Sequence, residues 1–290
     1  MKTKLIDYVD NGPIFITGHV NPDGDALGSA FALKLFLDSQ NIISDVDFDI
    51  TTKLPSNLNH LPYHLISDDL KEKYNTVFVF DCGNSSRLGK YEEVVLAAEN
   101  VVVIDHHVDP SFGDVQIIDP HAASTTQVLF RQFKDENIEI NEEMANCLLT
   151  GLITDTGRFQ YSNTTSEVFS IAAELLGNGA NLSKISENIY GSIEFNALTL
   201  QSKIIERIVL NEDLQFAHSI VFQNDYKDYQ VEPEETDFLI DVVRLVKEST
   251  VALLIKEQED GSFKGSLRSR GGIDVQKIAS IFGGGGHVAA

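Results

Sequence analysis

Cysteine is scarce: Cys82 and Cys147 are the only two, and they form no C-x-x-C pair. That argues against a disulfide framework or a zinc ribbon and makes a reducing, cytoplasmic setting the expected one. Tryptophan is absent, although 17 Phe and 8 Tyr leave ample material for a core. Basic residues are few, 22 Lys and Arg against 44 Asp and Glu, for a formal net charge of −22. Proteins that coat duplex DNA do so mainly through Lys/Arg–phosphate contacts, so duplex DNA is not an expected partner. A small anionic substrate held by metal ions and a local basic patch remains open. No apolar run approaches the roughly 20 residues that span a bilayer. Asp7 and Asp10 interrupt the stretch that begins with Lys2 and Lys4, so neither a signal peptide nor a membrane partner is expected. The patterns G-x-x-x-x-G-K-[ST] and H-E-x-x-H are both missing, which removes a P-loop ATPase and the common zinc protease.

What is present is an α/β pattern over 290 residues, enough for two domains at about 100–200 residues each. Residues 13–17, 75–80 and 101–104 are short apolar strands, separated by helical stretches at 25–38 and near 90–99. All-apolar strands alternating with helices predict a parallel sheet covered on both faces. Further helices are expected near 123–136, 141–154, 165–177 and 181–190, after a short N-terminal helix. The amphipathic stretch 194–210 reads as one helix joining two lobes. A smaller α/β unit then follows, with strands at 215–223, 251–257 and 263–269 and helices at 233–247 and 275–282. The expected domains are 1–190, a connecting helix over 191–211, and 212–290. No internal repeat or low-complexity linker is evident.

Chemistry gathers where strands stop, and ligands of open α/β sheets collect at the carboxyl ends of strands. The first strand runs into Gly18-His19-Val20-Asn21-Pro22-Asp23-Gly24-Asp25; the next two deliver Asp81 and Asp105-His106-His107. A fourth cluster, Thr154-Asp155-Thr156-Gly157, closes an apolar helix. Crowded carboxylates repel one another and take up protons unless cations neutralise them. Asp23, Asp25, Asp81 and Asp155 would balance two divalent ions, with His19 and His106 as nitrogen ligands. Mixed carboxylate and imidazole donors suit Mn²⁺, with Mg²⁺ or Co²⁺ as substitutes. Two metals about 3.5–4 Å apart would activate a bridging hydroxide and clamp a phosphoryl group.

These motifs, in this order, resemble those of the DHH phosphoesterase superfamily. Gly265-Ser266-Leu267-Arg268-Ser269-Arg270 followed by Gly284-Gly285-Gly286-His287 is similar to its DHHA1 substrate-binding domain. Length and layout resemble most the nanoRNase/pAp phosphatase group, which degrades very short RNA and dephosphorylates 3′-phosphoadenosine 5′-phosphate (pAp). The resemblance implies a parallel-sheet DHH metal domain joined by a helix to a smaller α/β DHHA1 domain. It implies one metal held by His19, Asp23 and Asp81, and a second by Asp25, Asp81, His106 and Asp155. His107 would face the substrate phosphate and assist the leaving oxygen, while Asp105 orients a histidine. Arg268, Arg270 and His287 would grip a terminal phosphate or nucleotide, and the N–H groups of Gly283 to Gly286, including Gly285 and Gly286, would cradle an anion. From residue 262 to 290 four bases face one acid, a local +3 in a chain of −22. Substrates would be short RNA and phosphorylated nucleotides, and a homodimer fits the same reading. Members usually continue beyond the Gly-rich turn, so a shortened C-terminus is a further expectation.

Plainer roles are assigned elsewhere. His60, His64, His121 and His218 are read as ordinary histidines, Cys82 as a packing residue, and the helix at 233–247 as a solvated acidic face. Arg87 is read as a helix-surface residue, with an approach to the site as the second reading. Arg268 and Arg270 have a solvated edge strand as their alternative. The functional rivals are a phosphodiesterase for cyclic dinucleotides or their linear products, and a nucleotide-binding sensor with an idle metal centre.

Overall fold

Alternation of buried side chains along three central strands sets the architecture of the first unit. In the computed structural model, which describes residues 4–9, 12–51, 53–108, 110–191, 193–270 and 272–285, the chain divides into Met1–Gly191 and Ser192–Ala290. The first unit carries a five-stranded sheet of β1 (Ile14–Gly18), β2 (Ser44–Val46), β3 (Thr76–Phe80), β4 (Asn100–Asp105) and β5 (Val115–Ile118). The order is β2-β1-β3-β4-β5 and every pairing is parallel. Ile14, Ile16, Phe78, Phe80, Val102 and Ile104 point to one face, into the main core. Phe15, Val77, Val79, Val101 and Val103 point to the other, against Tyr74, Leu88, Tyr91 and Val95. Strands buried on both faces explain the unbroken apolar runs.

The helices are α1 (Gly24–Ser39), α2 (Glu92–Leu96), α3 (Thr125–Asp135), α4 (Glu142–Asp155), α5 (Ser166–Gly177) and α6 (Leu182–Ser186). Helix α1 is buried from Gly24 through Leu33 and packs most extensively on α4. Register fixes what the sheet presents at its carboxyl edge: Gly18 pairs with Phe80, and Phe80 with Ile104. The residues that follow, His19, Asp81 and Asp105, therefore stand side by side on three adjacent strands.

The second unit contains α7 (Phe195–Glu206), β6 (Val209–Asn211), β7 (Phe216–Val221), α8 (Gln223–Tyr229), α9 (Leu239–Arg244), β8 (Val251–Glu257), β9 (Phe263–Ser269) and α10 (Val275–Ile281). Its sheet is mixed, in the order β6-β7-β8-β9, with β7 and β8 parallel and both edge pairs antiparallel. Ala197, Leu200 and Ile204 of α7 join Ala217, Val221, Leu239, Ile240, Val243, Ala252 and Leu254 in its core.

Several expected boundaries are corrected. The single helix over 194–210 ends at Glu206. There Arg207 reaches Asp225, 2.8 Å from Nη2 to Oδ1, and the chain turns into the edge strand β6. The helix over 233–247 splits into a 3₁₀ turn, Pro233–Thr236, and the short α9. Glu235 folds back on the Glu232 N–H (3.0 Å), closing the turn that Pro233 begins. The N-terminal helix is a 3₁₀ turn, Leu5–Tyr8, and the helix near 90–99 shrinks to α2 behind a 3₁₀ stretch, Ser85–Tyr91. Helix 181–190 passes from α6 into a π turn at Glu187. Strands β2, β5 and β6 and helix α8 were not anticipated. Cys82 is fully buried in the smaller core, where burial pushes its thiol up to about 12. Among the described residues no helix is long and apolar enough to cross a membrane.

Candidate metal centre

His19 follows β1 directly and is 5% exposed. Its Nδ1 donates to the Val20 carbonyl at 2.9 Å, which leaves the Nε2 lone pair for the site. That nitrogen stands 3.9 Å from Asp23 Oδ2 and 3.6 Å from Asp81 Oδ2. Asp23 divides its two oxygens between structure and site. Oδ1 caps α1, accepting the N–H of Asp25 (3.0 Å) and of Ala26 (3.1 Å), while Oδ2 faces His19.

Asp25 lies one residue into α1 and is fully buried. Two amides at the start of α3 hold it in a fork: Thr125 N–H to Oδ2 at 2.5 Å and Thr126 N–H to Oδ1 at 2.9 Å. The Thr125 hydroxyl reaches further and donates to Asp81 Oδ1 at 3.1 Å. Asp81 itself sits in the left-handed region, φ 54°, a conformation Asp tolerates better than most residues. It turns the chain out of β3 while the residue stays buried, 3% exposed.

At the end of β4, Asp105 Oδ1 accepts from the N–H of His106 (2.7 Å), the N–H of His107 (3.0 Å) and His107 Nδ1 (2.7 Å). Its Oδ2 is buried with no hydrogen-bond partner among the described residues. His106 Nδ1 donates to the Ala122 carbonyl at 3.3 Å, so Nε2 faces Asp155 Oδ2 (3.3 Å), Asp81 Oδ1 (3.6 Å) and Asp25 Oδ2 (4.0 Å). Asp155 is the last residue of α4, and Asn163 holds its carbonyl at 3.0 Å.

Three overlapping groups result: His19–Asp23–Asp81, Asp25–His106–Asp155, and Asp81–Asp105–His106–His107, each with ligating atoms within 4.8 Å of one another. Atoms about 2.1 Å from a shared divalent ion stand about 3.0–3.4 Å apart, close to several of these spacings. The expected ligands among these groups, four carboxylates with two imidazoles whose Nδ1 atoms are engaged by backbone carbonyls, fit a divalent metal.

The electrostatics agree. Burial, then the charges of Asp155 and Asp81, push Asp25 well above the usual carboxylate range. Burial likewise pushes Asp155 up to about 7. For His106 burial opposes protonation, but the hydrogen bond and charge of Asp155 prevail and push it up to about 10. His107 is also pushed to about 10, since its bonds to Asp105 and Asp81 outweigh its burial. Burial would raise Asp81, but hydrogen bonds from His107 and His19 hold it well below its ordinary value. With protons as the neutralising cations, the cluster claims them strongly; this is the field that a bound metal would relieve.

The second unit carries the remaining candidates. Arg268 lies on β9 opposite Ala252, and its Nη1 donates to the Leu267 carbonyl at 2.9 Å. Arg270 is exposed and donates from Nη2 to the Arg244 carbonyl at the end of α9. The anion cradle expected of the glycine run is corrected for its first half. Gly283 N–H bonds Ser280 O (3.2 Å) and Gly284 N–H bonds Ala279 O (2.9 Å), with Gly283 at φ 77°. This pair closes α10, as helix C-caps do, so those two amides are spent. Gly285 is exposed beyond the cap; Gly286 and His287 lie outside the described residues.

Sequence reasoning missed Thr125 and Thr126. Their signal was the Ser124-Thr125-Thr126 run ahead of an apolar helix: the Ser124 side chain accepts from Gln127 N, which frees the two threonine amides for Asp25. His60 lies apart from the cluster, its Nε2 2.9 Å from Thr150 Oγ1, and burial followed by Lys184 lowers it to about 4.

Two family models match this chain, "DHH family, N-terminal domain" over residues 13–152 and "DHHA1 domain" over residues 213–290. A protein named bifunctional oligoribonuclease and PAP phosphatase NrnA from Thermus thermophilus is 34% identical over 288 residues, covering 96% of this chain and 83% of that one. A protein of the same name from Bacillus subtilis is 27% identical over 297 residues, covering 100% and 92%. A solved structure of an exopolyphosphatase-related protein from Bacteroides fragilis matches with a TM-score of 0.90 at 26% identity, over 98% of this chain and 87% of that one.

Proposed function

The chain belongs to the DHH family of phosphoesterases, in its NrnA-like group, and from that membership we propose that it hydrolyses short oligoribonucleotides to nucleoside 5′-monophosphates and pAp to AMP and phosphate, in the cytoplasm. The observation that carries this reading is the cluster at the aligned carboxyl ends of β1, β3 and β4, where Asp81 contributes to two ligand groups. His19, Asp23 and Asp81 would hold one divalent ion, Mn²⁺ first among the candidates, and Asp25, Asp81, His106 and Asp155 a second. Bound divalent metal supplies Lewis acidity toward a phosphoryl oxygen and lowers the pKa of the attacking water.

Both reactions break the same bond, between phosphorus and a ribose 3′ oxygen, and both leave a 3′-hydroxyl. Water adds its oxygen to phosphorus, and the departing 3′ oxygen needs a proton. We assign that proton to His107. Asp105 holds the ring by Nδ1 at 2.7 Å, so Nε2 lies on the opposite side of a side chain that is 22% exposed. The hydrogen bond and charge of Asp105, which is not among the proposed ligands, favour the protonated ring that this role requires. Asp105 keeps the orientation rather than taking part in the transfer. Arg268 and Arg270 are assigned to an anionic group of the substrate, supplying positive charge in a chain of net −22.

Product release from pAp, a 5′-phosphorylated RNA dinucleotide, cyclic di-AMP and pyrophosphate in Mn²⁺ tests the reading, with Asp81→Asn as the blank. AMP from pAp and mononucleotides from the dinucleotide are expected. Cleavage of the cyclic dinucleotide alone would replace this substrate assignment, and nucleotide binding without turnover would make the chain a sensor.

A further inference from the structure

Downstream of Asp81 the chain builds a stiff platform whose purpose the metal ligands do not explain. Cys82 is buried with its Sγ 3.2 Å from the Asn84 carbonyl, and the Asn84 side chain caps the 3₁₀ stretch Ser85–Tyr91 through Ser86 N–H at 3.0 Å. Leu88 is fully buried beneath it. Two further bonds stitch this stretch to the loop that carries His19. The Val20 N–H donates to the Arg87 carbonyl at 2.7 Å, and Asp49, whose carbonyl accepts the Asn21 N–H at 2.9 Å, takes the Lys90 N–H on Oδ2 at 2.8 Å. The main chain of Arg87 is thus one hydrogen bond from the residue after a candidate ligand.

The side chain of Arg87 is exposed, and among the described residues its guanidinium makes no ion pair or hydrogen bond. Other arginines are engaged. Arg131 bonds Glu167 at 2.6 and 2.7 Å, Arg158 stacks 4.2 Å above Tyr190, and Arg207 grips Asp225. An unsatisfied guanidinium stands out in a chain with 44 acids and 22 bases. Asp23, Asp25, Asp81 and Asp155 are engaged by His19, His106 and the α1 and α3 amides, and among the described residues no carboxylate pairs with Arg87, which leaves it for an anion from outside.

We propose that Arg87 is a substrate-binding residue of the metal centre, its planar fork taking the non-bridging oxygens of the phosphoryl group under attack. This deepens the phosphoesterase reading and rests on it. A guanidinium matches two phosphoryl oxygens at once, whereas an ammonium supplies only a point charge. Arg87 does lie exposed on the 3₁₀ stretch, as the surface reading expects; the role proposed is its second reading, an approach to the site.

Calorimetric titration of the full chain with Mn²⁺, and of the Mn²⁺-loaded chain with inorganic phosphate, tests this in wild type, Arg87→Gln and Arg87→Lys. Losing one charge-assisted fork should weaken phosphate binding about tenfold or more, with Lys restoring only part. Mn²⁺ affinity should stay within about twofold, since Arg87 donates to no ligand. Millimolar guanidinium should restore part of the pAp turnover lost in Arg87→Gln. Equal phosphate affinity in wild type and Arg87→Gln would overturn the assignment, as would a parallel loss of Mn²⁺ binding, which marks a structural role. Phosphate binding that depends on Arg87, in a protein that releases no AMP from pAp, would uphold the residue's role and refute the substrate reading.

Discussion

Gly151→Ala is the substitution in which helix chemistry and site geometry oppose each other most clearly. Gly151 lies inside α4, where Ala is normally better than Gly by about 0.8–1.0 kcal/mol. Here a Cβ would stand 2.6 Å from Asp25 Oδ1, 2.5 Å from Thr126 Cγ2 and 2.8 Å from Thr126 Oγ1. Ordinary carbon–oxygen contact is about 3.3 Å, so the carboxylate or the helix must give by about 0.7 Å. Asp25 has little freedom to give, because Thr125 and Thr126 hold both of its oxygens. Overpacking of this kind costs about 1–3 kcal/mol, so the net loss of stability after the helix gain is about 0–2 kcal/mol. Metal binding should suffer more, since pushing Oδ1 turns the same carboxylate's Oδ2, the oxygen that faces His106 Nε2 at 4.0 Å, and a weakening of about tenfold or more is expected. Urea unfolding followed by circular dichroism gives the first quantity and Mn²⁺ calorimetry the second. Gly177→Ala is the control: it closes α5 with nothing within 4 Å of a Cβ, and should leave Mn²⁺ affinity unchanged. A Gly151→Ala protein that is stabilised and binds Mn²⁺ like wild type would refute the reasoning.

Thr125→Val keeps the amide fork and removes the hydroxyl bond to Asp81, so Mn²⁺ affinity should fall about tenfold while Thr125→Ser stays near wild type; calorimetry that finds Val and Ser alike would assign the hydroxyl no role. Metal uptake should release protons at pH 7, because His106 at about 10 holds one without metal and Asp155 at about 7 is half-protonated. The sign follows: Mn²⁺ affinity rises with pH between 6 and 8, and calorimetry in buffers of different ionisation enthalpy should count more than one proton released per chain. Arg268→Ala should raise KM for pAp with kcat nearly intact, and a fall in kcat alone would move Arg268 from binding into the chemistry.

Much of the fold was legible because the central strands are buried on both faces. Runs such as Thr76–Phe80 can hardly be anything else when they stop abruptly at an Asp. The seven-residue edge strand β9 was legible, but the short edge elements were not. β2 (Ser44–Val46) and β6 (Val209–Asn211) are three residues long, too short for a period, and they exist only because a neighbouring strand offers hydrogen bonds. The stretch 194–210 shows the converse error, since its amphipathic spacing continues past Glu206 while the chain leaves the helix at Arg207, which pairs with Asp225, and joins the sheet as β6. The candidate ligands were visible as motifs at strand and helix ends. Their support was not, because the fork on Asp25 joins residues 100 positions apart and depends on how α3 meets α1. The roles of Gly283 and Gly284 were misjudged for a related reason: a glycine run looks the same whether its amides face an anion or close a helix.

The central claim is that the carboxyl ends of β1, β3 and β4 assemble one centre for two divalent ions with Asp81 between them. Anomalous diffraction at the manganese edge from Mn²⁺-soaked crystals tests it directly. The account predicts two peaks about 3.5–4 Å apart, one against His19 and Asp23, the other against Asp25, His106 and Asp155, with Asp81 touching both. A single peak, or two that do not share Asp81, would contradict it.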